Sequence, residues 1–127
     1  MKTLLLGDTA PVYATREAFR AKDTESLFTN VLPYMKDADY CFVNLECALT
    51  ETDGAIKKFG PNLASPVEAA DVLKEVGVDL CGLSNNHTFD LGIQGIKDTL
   101  AALDEVGLDY TGWGNDYEDS RKDYVLD

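Results

Sequence analysis

Four short apolar runs punctuate the chain: Thr3-Leu4-Leu5-Leu6, Tyr40-Cys41-Phe42-Val43, Val78-Asp79-Leu80-Cys81-Gly82-Leu83 and Leu108-Asp109-Tyr110-Thr111. The first two lack polar alternation, as strands buried on both faces of a parallel sheet do. Together the runs predict strands near 3–6, 39–44, 78–83 and 108–112. Stretches of helical periodicity separate them. From about Thr24 to Met35, Leu27, Phe28, Val31 and Leu32 recur at helical spacing, and Pro33 disturbs the end. Ser65-Pro66-Val67-Glu68 reads as a helix start, with Ser65 as cap and Glu68 closing a capping box; that helix runs to Val76 and stops at Gly77. Another runs from about Ile93 to Val106 and ends at Gly107, with Ile96, Leu100 and Leu103 in one stripe. Strands alternating with helices predict a three-layer α/β fold, a mostly parallel sheet with helices on both faces. Residues 50–64 form a polar connection, either a loop or a small hairpin. The closing Tyr124-Val125-Leu126-Asp127 reads as the start of a further strand. The chain is therefore expected to be the N-terminal part, residues 1–127, of one larger domain whose C-terminal half is missing.

Composition narrows the partners. At 127 residues and 45% hydrophobic, the chain has the size and apolar content of one packed domain. Lysine and arginine number 11 against 23 aspartates and glutamates, a net charge of −12. Such a surface repels phosphate backbones, which excludes nucleic-acid binding, and the charge is expected to serve solubility. The run Leu4-Leu5-Leu6 stops at Gly7-Asp8, far short of a signal-peptide core or a membrane span. The chain as given is expected to be soluble and cytoplasmic, with association to the cell envelope left open. Cys41 and Cys81 lie inside apolar runs and read as core residues, and the odd number of cysteines, with Cys47 the third, argues against a disulfide framework.

Ligands of parallel α/β sheets bind beyond the carboxyl ends of the strands. Gly7-Asp8 follows the first run, Asn44-Leu45-Glu46 the second, Ser84-Asn85-Asn86-His87 the third and Gly112-Trp113-Gly114-Asn115 the fourth. Right-handed crossovers bring all four ends to one edge. Two carboxylates, an amide pair and the only histidine thus converge, and the oxygen donors among them suit a divalent metal, with Asn44, Asn85, Trp113 and Asn115 as candidate substrate contacts. Carboxylate and amide oxygens suit Mg²⁺ or Mn²⁺, and His87 extends the range to Fe, Zn or Co. Simpler roles stand beside these. Gly7-Asp8 and Asn85-Asn86 could serve turns, Asp90 could cap the helix near Ile93, and Trp113 could be a packed lid instead of a ligand platform.

The phrases Gly7-Asp8, Val43-Asn44-Leu45-Glu46-Cys47-Ala48-Leu49-Thr50 and Leu83-Ser84-Asn85-Asn86-His87-Thr88-Phe89-Asp90-Leu91-Gly92, with Lys58-Phe59-Gly60-Pro61 and Gly112-Trp113-Gly114-Asn115, resemble the motifs of the CapA/PgsA family of poly-γ-glutamate capsule synthesis. They also resemble the calcineurin-like metallophosphoesterases, especially the 5′-nucleotidase branch. That resemblance implies a layered phosphoesterase-like fold. It makes Asp8 the first metal ligand, places Glu46 where those enzymes carry a bridging carboxylate, and makes Asn86 a ligand of a second metal. His87 would stabilise charge or donate a proton at the phosphoryl group, and Asp90 would orient His87. The sequence departs from the phosphoesterase pattern at Ala10, where those enzymes have a histidine, and at Glu46, one methylene longer than their aspartate. Their further metal-binding histidines come from a C-terminal half.

The resemblance thus implies a capsule-synthesis-type protein with a metal-assisted site for a phosphoryl or related bond. The alternative is a non-catalytic relative that binds a polyanion, sugar or partner protein at the same edge. By itself the 127-residue chain is expected to be inactive, to bind metal weakly and to self-associate through its uncovered sheet.

Overall fold

The computed structural model describes residues 1–126. Strand β1 (Thr3–Thr9) is followed by a 3₁₀ turn at Tyr13–Thr15, helix α1 (Arg16–Arg20) and helix α2 (Thr24–Phe28). A second 3₁₀ turn at Thr29–Val31 leads to α3 (Leu32–Asp37), β2 (Tyr40–Leu45) and β3 (Ala48–Leu49). Then come β4 (Ala64–Ser65), α4 (Ala69–Glu75), β5 (Leu80–Gly82), α5 (Gly92–Val106), β6 (Asp109–Thr111) and α6 (Tyr117–Ser120). The main sheet has the order β1-β2-β5-β6, and every neighbouring pair is parallel. The four expected strands and the α/β class with a mostly parallel sheet are therefore present. None of the helices is long and apolar enough to cross a membrane among the described residues.

The strands advance across the sheet in one direction, so crossovers of one hand lay their helices on one face. Cys41, Val43 and Leu45 of β2 point into that face and share a core with Phe19 of α1, Met35 of α3, Val72 and Leu73 of α4 and Leu103 of α5. A second helical layer is not among the described residues. The opposite face carries Leu5, 73% exposed, and the half-buried Tyr40 and Phe42. The three cysteines are free and buried. Burial pushes the Cys47 and Cys81 thiols up to about 12, which keeps both protonated and inert.

Several local expectations are corrected. The helix expected over Thr24–Met35 is broken, because Thr29 adopts a positive φ of 37° and Pro33 opens α3 instead of ending it. In the first helical turn the missing proline N–H has no partner to lose. The capping box at Ser65 does not form. Ser65 belongs to β4, its hydroxyl donates to the Pro11 carbonyl, and Glu68 stands at the N-cap of α4 without a side-chain bond. Gly77 and Gly107 do end α4 and α5. The 50–64 connection returns as β4 parallel to β3, so it is not a hairpin. No strand forms at Tyr124–Leu126. Tyr124 instead donates to Asp109 and lies beside Tyr40. Asp127 lies outside the described residues.

Two backbone features place the strand ends. The register of β1 on β2 pairs Leu5 with Phe42 and then Asp8 with Asn44, so β1 holds one extra residue in a bulge between Leu5 and Asp8. Without it Asp8 would lie opposite Leu45 and point toward the core; with it Asp8 shares a face with Asn44. After β6, Gly112 takes a φ of +85° directly against β5's exit, where a Cβ would stand 2.7 Å from Ser84 Cβ and 2.9 Å from Ser84 N. Gly112→Ala is expected to cost about 2–3 kcal/mol from left-handed strain plus the clash, read as a lowered urea midpoint at unchanged slope.

Candidate functional site

Residues Asn44 and Glu46 are two apart on β2 and its extension, so both face away from the buried Leu45. Asn44 Nδ2 donates to Asp8 Oδ1 at 2.8 Å and to Glu46 Oε2 at 3.3 Å. The two carboxylates thus meet over one amide. The hydrogen bond from Asn44, then that from Glu46, holds the Asp8 carboxyl below its ordinary value. Glu46 is raised, first by its hydrogen bond with Asp8, then by desolvation and by the Asp8 charge. The two shifts are opposite in sign, as for neighbouring carboxyls of which Asp8 is the more acidic.

A relay of amides ties this pair to the loop after β5. Asn85 Nδ2 donates to Asn44 Oδ1 at 3.1 Å and to the Leu45 carbonyl at 2.9 Å, while Asn85 Oδ1 accepts from the His87 N–H at 3.0 Å. Asn44 and Asn85 therefore act as braces between strand ends. Their polar atoms are occupied by the protein itself, whereas the sequence suggested substrate contacts.

The histidine is held from behind. His87 Nδ1 lies 2.7 Å from Asp90 Oδ2, and the Asp90 side chain is 0% exposed. Asp90 Oδ2 also accepts from the Leu63 N–H at 2.7 Å, and Oδ1 accepts from Lys58. Burial works against the Asp90 charge, but the hydrogen bonds from Lys58, His87 and Leu63 outweigh it and hold the carboxyl below its ordinary value. With Asp90 ionised, the hydrogen between it and His87 resides on Nδ1, and Nε2 is the nitrogen left to act. His87 Nε2 lies 3.9 Å from Glu46 Oε1, on the carboxylate side. Asp90 is thus no helix cap, since Leu91 occupies the N-cap of α5 with no side-chain bond. Lys58 was missing from the sequence-derived set. Its signal was the phrase Lys58-Phe59-Gly60-Pro61, but only the folded 50–64 connection brings its ammonium onto Asp90 and to 3.2 Å from His87 Nδ1.

The other candidates divide. Asn86 is exposed, its side chain makes no hydrogen bond among the described residues, and its carbonyl accepts from Lys58 at 3.4 Å. Trp113 is half-buried and stacks on Phe89. Asn115 does not join the site, because Asp119 takes both its backbone N–H and its side-chain amide at the start of α6.

No three His, Cys, Asp or Glu side chains among the described residues cluster as a metal cage. The donor set that is present does fit a hard divalent cation: two carboxylates drawn onto one amide N–H group, Glu46 raised by its neighbour Asp8. Asp8 and Glu46 would hold it.

A parallel α/β sheet that gathers carboxylates, amides and a buttressed histidine at its carboxyl edge defines an α/β domain with a strand-end site. The family described as bacterial capsule synthesis protein PGA_cap matches residues 2–127, and the chain belongs to that family. The chain is 34% identical over 120 residues to the capsule biosynthesis protein CapA of Bacillus anthracis, covering 92% of the chain and 29% of that protein. It is 33% identical over 104 residues to the PGA biosynthesis protein CapA of Bacillus subtilis, covering 80% and 27%. A probable polyglutamine synthesis accessory protein of Mycobacterium tuberculosis is 34% identical over 89 residues, covering 69% and 23%. The chain spans less than a third of the length of each of these relatives.

Asp90→Asn leaves the Lys58 ammonium, 20% exposed, without its partner and is expected to cost about 3 kcal/mol. Because the folded carboxyl is depressed, its contribution is full above the unfolded value of about 3.9 and is lost as pH falls through the folded one. Urea unfolding stepped from neutral pH down through the carboxylate range is therefore expected to show the gap between wild type and variant closing in acid.

Proposed function

We propose that the protein acts in capsule or poly-γ-glutamate synthesis, and that its strand-end site assists hydrolysis or transfer at a phosphoryl or related bond with a divalent cation. The observation that carries this reading is the opposition of the Asp8–Glu46 pair to a histidine whose back nitrogen is fixed by a buried carboxylate. The printed names of the CapA relatives supply the biological setting.

A bound cation supplies Lewis acidity, drawing charge from a phosphoryl oxygen and easing deprotonation of water. The chain's own residues do the rest. Asp8 and Glu46 would hold the cation, and Asn44 fixes their spacing. Asp90 keeps the proton of the imidazole on Nδ1, so Nε2 faces the reacting group. There it accepts a proton when neutral and gives one to a leaving oxygen when protonated. Lys58 balances the buried Asp90 charge. Asn85 holds the His87 backbone against β2, so the imidazole and the carboxylates keep one mutual geometry.

A second reading, non-catalytic binding at the same edge, is favoured by Ala10, which stands where the phosphoesterases carry a histidine. Turnover of a phosphomonoester and phosphodiester panel by the complete protein with Mn²⁺ separates the two. The proposal expects Mn²⁺-dependent turnover, abolished by Glu46→Gln and lowered by about a hundredfold or more by His87→Ala. Turnover indifferent to both variants would overturn it, and binding without turnover would establish the second reading. In the 127-residue chain itself, calorimetry with Mn²⁺ and Zn²⁺ is expected to give weak binding; a stoichiometric two-ion site of micromolar affinity would contradict the ligand assignment.

We further propose that this chain self-associates through the open face and free edge of β1. An unpaired edge strand can pair with a second copy, and Leu5 presents apolar surface beside it. Sedimentation is expected to show concentration-dependent association that Leu5→Glu weakens, and a monomer at every concentration would refute it.

A further inference from the structure

Beside the carboxylates, the loops after β5 and β6 form an open, shallow cleft of about 620 Å³. Of its lining, the chemistry assigned above uses only Asn85, as a brace. Ser84, Asn86, Phe89, Trp113, Asp116 and Tyr117 line it.

Its wall is aromatic and open. The rings of Phe89 and Trp113 are nearly parallel, 13° apart, with centroids separated by 6.3 Å. That separation is too large for full face-to-face overlap, so the pair is offset and leaves part of each ring uncovered. Phe89 is 39% exposed and Tyr117 is 68% exposed. The polar groups around this wall are hydroxyl, amide and carboxylate. Ser84 and Asn86 are exposed, and their side chains make no hydrogen bond among the described residues. Asp116 gives one carboxylate oxygen to the Asp119 N–H, which leaves the other for a donor. No lysine or arginine lines the cleft among the described residues. Arg121 lies over the Tyr117 ring at 4.9 Å and bonds its hydroxyl, so it is engaged outside the lining.

Charge and shape select the occupant. A polyanion would meet Asp116 in the cleft and a net charge of −12 beyond it, while the neighbouring cations, Lys58 and Arg121, are engaged by Asp90 and Tyr117. A neutral sugar suits each feature. Its ring offers an apolar C–H face to the negative faces of aromatic rings, and its hydroxyls donate to carboxylate and amide oxygens and accept from amide and hydroxyl groups. We propose that this cleft is a binding site for a neutral saccharide ring, stacked against Phe89 and Trp113 and hydrogen-bonded by Asn86, Ser84 and Asp116. The cleft shares Asn85 and Asn86 with the strand-end loops. Only the link from a bound sugar to chemistry at the carboxylates rests on the function proposed above; the binding itself does not.

Trp113 is the single tryptophan of the chain, so its fluorescence reports on this cleft. The probes are N,N′-diacetylchitobiose and a poly-γ-glutamate oligomer, titrated into the 127-residue chain with a chelator present so that the metal reading plays no part. A saturable change in Trp113 emission is expected with the disaccharide and none with the oligoglutamate. Phe89→Ala and Tyr117→Ala, at exposed positions, should each weaken the disaccharide by about two- to tenfold, the worth of one aromatic contact, with circular dichroism unchanged. Three results would each overturn the proposal: no saturable change with the disaccharide, an equal or larger change with the oligoglutamate, or disaccharide binding indifferent to both variants. Loss of metal-dependent turnover in the complete protein with saccharide binding intact would count against the phosphoryl reading alone.

Discussion

A carboxylate with no solvent contact stays ionised only if donors surround it, and Asp90 meets this condition by drawing two parts of the chain together. Lys58 and the Leu63 N–H come from the long connection between β3 and β4, and the imidazole comes from the loop after β5. Each partner also does something else. Leu63 leads into β4, whose pairing with β3 closes the small second sheet. Lys58 also reaches the Asn86 carbonyl, and His87 is turned so that Nε2 faces Glu46. The polar connection, the second sheet and the histidine's orientation all depend on satisfying one buried charge.

The remaining geometry comes from the edge of the main sheet. One extra residue in β1 brings Asp8 round to the face of Asn44, and the Asn44–Asn85 relay passes that placement to the loop that carries His87. Reactive groups that sit on strand ends and are braced by amides are held more closely than groups on free loops. The same loop then continues into Phe89, so the aromatic cleft and the carboxylate pair lie on two sides of one short segment.

Much of this was legible in the linear pattern. The apolar runs located all four strands of the main sheet, the glycine stops located the ends of α4 and α5, and the strand-end rule gathered Asp8, Asn44, Glu46, Asn85 and His87 at one edge. Each of these is written in local composition or in the topology of parallel sheets. Local cap grammar was a poorer guide. Ser65 and Glu68 carry a capping pattern, yet Ser65 is drawn into a β-ladder and bonds Pro11, fifty-four residues away in sequence. Asp90 could have capped α5, but the donors of the 50–64 connection hold its carboxylate instead.

By itself, then, the sequence determined which strand ends carry the polar residues, the family motifs and the strongly acidic balance, because these follow from residue identity and from near-neighbour periodicity. Only the tertiary structure decided that Asp8 faces Asn44, that Lys58 belongs to the site, that Asn115 does not, and that Phe89 and Trp113 share a wall. A bulge shifts which face a side chain takes without altering the local pattern, and a buried charge selects its partners by distance in space.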